Sequence, residues 1–227
     1  MRGGLVGHRL DGMTEAHAEH PNLFVVGHPL IGHKLTQIRD RETSSRAVRA
    51  LTAQIAGLMA YEITRTFPAE ACDVETPMER TRGVRIDAPI TIVPVLRAGL
   101  GMAEGVGKLV PEARIGHIGL FRDEKTLLPV HYLSKLPARL DEGPVILIDP
   151  MVATGGSASA ALGMLRAAKA RELCVLCLVA APEGIVKLRE DHPDVPVYAA
   201  ALDRELNGDG FILPGLGDAG DRLFGTG

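Results

Sequence analysis

The chain has 227 residues, 46% of them hydrophobic, and a formal net charge of −3. That length suits one ordinary α/β domain with an added element, or two small ones, with enough apolar side chains to fill a sizeable core. The slightly acidic balance argues against a general nucleic-acid binder, and an aromatic content of 4% with no Trp argues against a stacking platform for single strands.

Residues 1–20 are polar and show no sustained period, so they read as a flexible N-terminal tail, with Met1 and Met13 both available as starts. His17 and His20 have a spacing seen in metal sites, but a solvated tail is the simpler reading. Ser44 and Ser45 are candidate N-caps for a long helix on which Val48, Leu51, Ile55, Leu58 and Met59 recur at helical spacing, with Pro68 as the stop signal. From Pro89 onward strands alternate with helices. "PITIVPVL" reads as a strand, "AGLGMAEGVGKLV" as a helix diluted by glycine, and "ARIGHIGLF" as a strand. The irregular stretch Glu124–Leu140 reads as an arm or flap. "PVILID" and "ELCVLCLVAA" read as buried strands, each followed by a helix, and "VPVYAAAL" as a last strand. Continuous apolar strands alternating with helices predict a mostly parallel sheet covered on both faces. No run approaches the ~20 apolar residues of a membrane helix, and no repeat or linker divides the chain.

Cys72, Cys174 and Cys177 are an odd number of thiols with no signal peptide before them, which points to a reducing cytoplasm. Cys174 and Cys177 form a C-x-x-C pair, but on a strand residues i and i+3 face opposite sides, which predicts two buried thiols rather than a redox or metal pair.

The strongest chemical signal is "VILIDPMVATGGSASAALGML" (145–165). A buried strand ends in Asp149, and Ala153-Thr154-Gly155-Gly156-Ser157 opens a helix. Ligands of parallel α/β sheets bind beyond the carboxyl ends of the strands. Backbone N–H groups freed by the two glycines, hydroxyls of Thr154 and Ser157, and a helix N-terminus together make a phosphate cradle. Asp149 is placed to accept hydrogen bonds from sugar hydroxyls. No Gly-Lys-Ser/Thr closes the loop, so it is not a Walker A motif. A second glycine pattern, Gly215-Leu-Gly217-Asp-Ala-Gly220, matches a dinucleotide fingerprint in letters. Only five residues follow Arg222 and "LFGTG" reads as no helix, so the βαβ unit that fingerprint needs is absent.

The cradle resembles the ribose-phosphate loop of type I phosphoribosyltransferases, and "DPMVATGGS" resembles the uracil phosphoribosyltransferase branch in particular. "HPLIGHKLTQIRD" (28–40), "LMAYE" (58–62), "VLRAGLGM" (95–102), "GHIGLFRDE" (116–124), "SKLP" (134–137), "APEGI" (181–185) and "FILPGLGDAGDRLFGT" (211–226) continue the likeness in the family's order. The chain departs from the superfamily's two adjacent acids in having Asp149-Pro150, and from many members of the branch in having Phe211 for Tyr and Ala47 for Phe.

The resemblance implies a type I phosphoribosyltransferase fold in a single domain, 21–227, with helical additions at its N-terminus and a base-binding hood at about 203–227. It implies transfer of the sugar phosphate of 5-phosphoribosyl-1-diphosphate (PRPP) to uracil, giving UMP and pyrophosphate, with Mg²⁺ as cofactor held mainly through PRPP. Arg97 and Arg122 would hold the diphosphate, and Asp149, Pro150, Met151, Val152, Ala153, Thr154, Gly155, Gly156 and Ser157 the ribose phosphate. Ile212, Gly217, Asp218 and Ala219 would present the uracil edge, with Asp218 also touching PRPP. Asp149, Arg97 and Asp218 would carry the catalysis. A homodimer or higher homo-oligomer, a GTP effector, and no nucleic-acid or membrane partner complete the expectation. Two other readings weighed against it are a pyrimidine-responsive RNA-binding regulator on the same fold and a phosphoribosyltransferase for hypoxanthine or orotate. Lys135, in the "SKLP" of the flap, could swing in but is not among the expected site residues.

Overall fold

The structure is a computed structural model that describes residues 16–122 and 129–226, the side chains of Arg122 and Pro129 excepted. Its central sheet is built from β1 (Leu23–Val25), β4 (Thr91–Leu96), β6 (His117–Arg122), β7 (Pro129–Lys135), β8 (Val145–Ile148), β10 (Leu173–Ala180) and β11 (Val197–Leu202). The order is β1-β11-β10-β8-β4-β6-β7, with short β5 (Arg114–Ile115) on β4 and β9 (Met151–Val152) on β10. Every pairing in it is parallel except β6 with β7. This is the expected mostly parallel α/β sheet.

Helices cover both faces, which is why the inner strands β4, β8 and β10 read as near-continuous apolar runs. On one face, α1 (Pro29–Arg39), α2 (Ser45–Thr64) and α3 (Gly99–Leu109) pack Ile31, Leu35, Ile38, Ile55, Met59 and Met102 onto Ile92, Ile146, Ile148 and Leu176. On the other, α4 (Gly156–Ala167) and α5 (Pro182–Asp191) pack Leu162, Leu165, Ile185 and Leu188 onto Val93, Val145, Leu147 and Val175. Cys174 belongs to the first core and Cys177 to the second, so the two thiols do lie on opposite faces of β10. Burial pushes the Cys174 thiol up to about 12 and the Cys177 thiol up as well.

Several elements differ from the sequence-based expectation. Ser44 does cap α2, its hydroxyl accepting from the Ala47 N–H at 3.4 Å, but the helix ends at Thr64, before Pro68. "ARIGHIGLF" is two strands broken at Gly116. Within the irregular stretch, Pro129–Lys135 form β7, antiparallel to β6. An exposed hairpin, β2 (Glu70–Glu75) with β3 (Arg80–Arg85), was not anticipated, nor was α1. Most of the proposed tail lies outside the described residues. Its end does not float: Ala16 bridges Phe24, the His17 N–H donates to the Leu23 carbonyl at 2.8 Å, and His20 is buried.

The chain closes with a small antiparallel pair, β12 (Glu205–Leu206) with β13 (Ile212–Leu213), and then α6 (Ala219–Phe224). A short helix therefore does follow the terminal glycine pattern, contrary to the reading of "LFGTG". The dinucleotide reading still fails, because β13 is a two-residue antiparallel strand and not the first strand of a βαβ unit.

Candidate active site

β4 and β8 are neighbours, but their connections leave in opposite directions. The chain after β4 runs through α3 to β5 and β6 on one side, and the chain after β8 runs through α4 to β10 on the other. α3 and α4 also lie on opposite faces. Between the two carboxyl ends a crevice must open, which is where α/β sheets bind ligands. There a cavity of about 380 Å³ is lined by Arg97 from the tip of β4, Asp149, Met151, Ala153 and Ser157 from the β8–α4 turn, Leu120 and Phe121 from β6, and Asp218, Ala219 and Gly220 from the terminal segment. Residues separated by more than a hundred positions in sequence meet here because three strand ends and the terminal segment converge.

The loops are fixed by close backbone approaches. A Cβ on Gly99 would come within 2.6 Å of the Ile148 carbonyl oxygen, so the Arg97 loop lies directly on the end of β8. Gly155 caps α4 in the left-handed region (φ 78°), and a Cβ there would come within 2.7 Å of the Gly184 carbonyl oxygen. The Gly156 N–H reaches the Thr154 hydroxyl at 3.5 Å. The turn therefore presents the start of a twelve-residue helix to the cavity, as a phosphate cradle requires.

Asp149 sits at the floor. Burial pushes its carboxyl up to about 7, opposed only by the Met151 N–H at 3.5 Å. Pro150 explains the missing second acid. It is buried, and its carbonyl accepts from the Leu178 and Val179 N–H groups at 2.9 and 3.2 Å, so a carboxylate at 150 would be desolvated beside β10. Arg97 is exposed, with its guanidinium carbon 5.7 Å from the centroid of the Phe224 ring. Asp218 caps α6, its carboxylate accepting from the Asp221 N–H at 2.9 Å.

Ile212 and Gly217 belong to the same terminal segment but do not line the cavity, Ile212 being buried in the core on the α1–α3 side of the sheet. Arg122 ends β6 at the same edge of the sheet, its backbone paired with Pro129; its side chain lies outside the description. Lys135 pairs with His117 at the opposite end of β6, away from the cavity.

What holds the terminal segment down is not legible in the sequence. The Arg222 guanidinium donates to the carbonyls of Ile38, Leu216 (3.0 Å) and Asp40 (2.6 Å), and Arg49 donates to the Leu223 carbonyl at 2.6 Å. Arg39 forms a bidentate ion pair with Asp203 at 2.6 and 2.8 Å. Orotate would want a cation for its carboxylate, and Arg222 of the terminal segment is committed to these three carbonyls.

A family model described as uracil phosphoribosyltransferase matches residues 25–226. The chain belongs to the uracil phosphoribosyltransferase family. The uracil phosphoribosyltransferases of Bacillus thuringiensis (strain Al Hakam) and Bacillus cytotoxicus are each 51% identical over 205 residues, covering 90% of this chain and 98% of theirs. A solved structure of an Aquifex aeolicus protein superimposes with a TM-score of 0.86 at 35% identity, over 89% of this chain and 97% of that one. The fold is thus the type I phosphoribosyltransferase fold that the cradle motif implied. Family membership also separates the cavity from a larger open groove of about 820 Å³ between α1, α2 and α3. That groove is lined by residues of the helix faces, and neither Arg97, the 149–157 turn nor the terminal segment reaches it.

Proposed function

We propose that this enzyme transfers the 5-phosphoribosyl group from PRPP to uracil, giving UMP and pyrophosphate. The observation that carries the reading is the meeting of Arg97, Asp149, the 151–157 turn and Asp218–Gly220 around one cavity in a member of this family. The C1′–O bond to pyrophosphate breaks, the bond from C1′ to the uracil nitrogen forms, and the proton of that nitrogen is released. Cationic character builds on the ribose ring as the anion leaves, so placement and electrostatics do most of the work.

Arg97 offers a planar fork to the diphosphate, with Arg122 as a second contact. The backbone and hydroxyls of 150–157 hold the 5′-phosphate, and Asp149, once ionised, accepts from the ribose hydroxyls. Ala219, which lines the cavity, offers its main chain to the uracil edge, with Ile212 and Gly217 of the same segment outside the lining, and the Asp218 carboxylate at the cavity can shield the ribosyl cation. Among the described residues no group of three or more His, Cys, Asp or Glu could hold a metal ion. Two carboxylates at the cavity, Asp149 and Asp218, fit Mg²⁺ that arrives on PRPP and takes few protein ligands. When bound, the ion neutralises the leaving diphosphate.

We place the enzyme in the cytoplasm as one domain, 21–227, hood included, working as a homo-oligomer open to a GTP effector. No helix among the described residues is long and apolar enough to cross a membrane. Light scattering and initial rates with and without GTP read the last two points.

The deciding experiment measures pyrophosphate release from PRPP with Mg²⁺ against uracil, cytosine, orotate and hypoxanthine. Release with uracil alone is expected. No turnover with uracil overturns the reading.

A further inference from the structure

If the hood reads uracil through its main chain, no side chain tunes that contact, and selectivity depends on how firmly the main chain is held. We propose that Arg39 and Asp203 are positioning residues for the base: their ion pair clamps both polar groups of the Gly215 peptide backbone and so fixes the hood against the sheet. The proposal rests on the assignment of uracil to the hood.

The clamp is complete in its hydrogen bonding. Arg39 Nη1 donates to Asp203 Oδ2 at 2.8 Å and Nη2 to Oδ1 at 2.6 Å. The Gly215 N–H donates to the same Asp203 Oδ2 at 2.9 Å, and the Gly215 carbonyl accepts from Arg39 Nη1 at 2.7 Å. The Asp203 side chain is 5% exposed and that of Arg39 24%. Charge-assisted, bidentate bonds in such a setting are shorter and more directional than neutral ones.

Both members are themselves fixed. Arg39 is the last residue of α1, and Asp203 follows β11, its N–H donating to the Ala180 carbonyl at the end of β10 at 2.8 Å. The clamp thus ties the hood to the helical layer and to the carboxyl edge of the sheet at one point. Gly215 is in the left-handed region (φ 63°) and sits on the Ile212 carbonyl, where a Cβ would collide. Two residues further on lies Gly217. The segment assigned to the base, Ile212 to Ala219, is therefore pinned near its middle. A site that depends on hydrogen bonds to a small planar ligand loses affinity and selectivity when its frame slips by about 1 Å.

Asp203→Asn tests this, because an amide cannot accept from all three donors. Arg39→Lys, which keeps the charge and loses the fork, is the second variant should the first not fold. Uracil KM, the calorimetric affinity for PRPP with Mg²⁺, and hydrogen exchange at the Gly215 amide are measured in wild type and variants. Expected are a uracil KM raised about tenfold or more, PRPP affinity within about twofold, and faster exchange at Gly215. A uracil KM within about twofold of wild type in a folded variant, or uracil and PRPP weakened together as a general structural lesion would do, overturns the clamp. Failure of the uracil assignment looks different: wild type itself would not turn over uracil, and exchange at Gly215 would still respond.

Discussion

Asp149 lies where two demands conflict. In its proposed role as an acceptor of ribose hydroxyls it must be ionised, yet burial at the tip of β8 pushes its carboxyl up to about 7. In the free enzyme the competent form therefore grows in as pH rises through the neutral range. We expect kcat/KM for PRPP to rise with an inflection near 7, because that parameter reports the free enzyme. Asp149→Asn should lower kcat/KM about 100-fold and remove the inflection. A wild-type profile that is flat between about pH 6 and 8 would show that the carboxyl is not the titrating group. Residues of this kind were legible from the sequence. Asp149, Thr154 and Ser157 stand in one contiguous strand-turn-helix motif whose chemistry is local. Arg39 and Asp203 were not, since each looks like an ordinary surface charge, and their pairing across 164 positions exists only in the fold.

In the proposed function, phosphate binding depends on the β8–α4 turn, and the weak point of that turn is Gly155. An Ala there would carry a left-handed φ and press a Cβ against the Gly184 carbonyl at the start of α5. Gly155→Ala should cost about 1–3 kcal/mol in urea unfolding and weaken PRPP about tenfold or more, since the turn can relax only by moving away from α5 and re-aiming its N–H groups. PRPP affinity equal to wild type, by calorimetry with Mg²⁺, would mean the turn does not frame the phosphate. The same scale explains which elements the sequence disclosed. β4, β8, β10 and β11 are mostly buried on both faces and read as apolar runs. The β2–β3 hairpin is mostly exposed, with three acids on β2 and three arginines on β3, so no apolar period marked it. α1 has its buried residues at Ile31, Leu35 and Ile38, a helical spacing, but only three of them in eleven residues. β7 is the antiparallel outer strand of the sheet, with Val130 and Tyr132 exposed, and such a strand lacks the apolar signature of its neighbours.

At the scale of the whole molecule, the site is a cost carried by two well-filled cores. Their packing on both faces of one sheet fixes the crevice between β4 and β8, and the crevice keeps Asp149 partly desolvated. The sign of the resulting linkage follows from the raised value. A carboxyl that binds its proton more tightly in the folded state than in the unfolded chain contributes stability below the unfolded value of 3.8, and that contribution is lost as pH rises through about 7. Asp149→Asn removes the titration and leaves a neutral group in the same place. Compared with wild type, the variant should gain nothing at about pH 4, gain progressively between about 4 and 7, and hold a constant advantage above that, on the order of a few kcal/mol. Urea unfolding of both proteins across this range reads it directly. An advantage that does not change with pH would trace the gain to packing and not to ionisation. With the expected loss of turnover, the same substitution would then show that this fold gives up stability at neutral pH to keep a carboxylate where the ribose must bind.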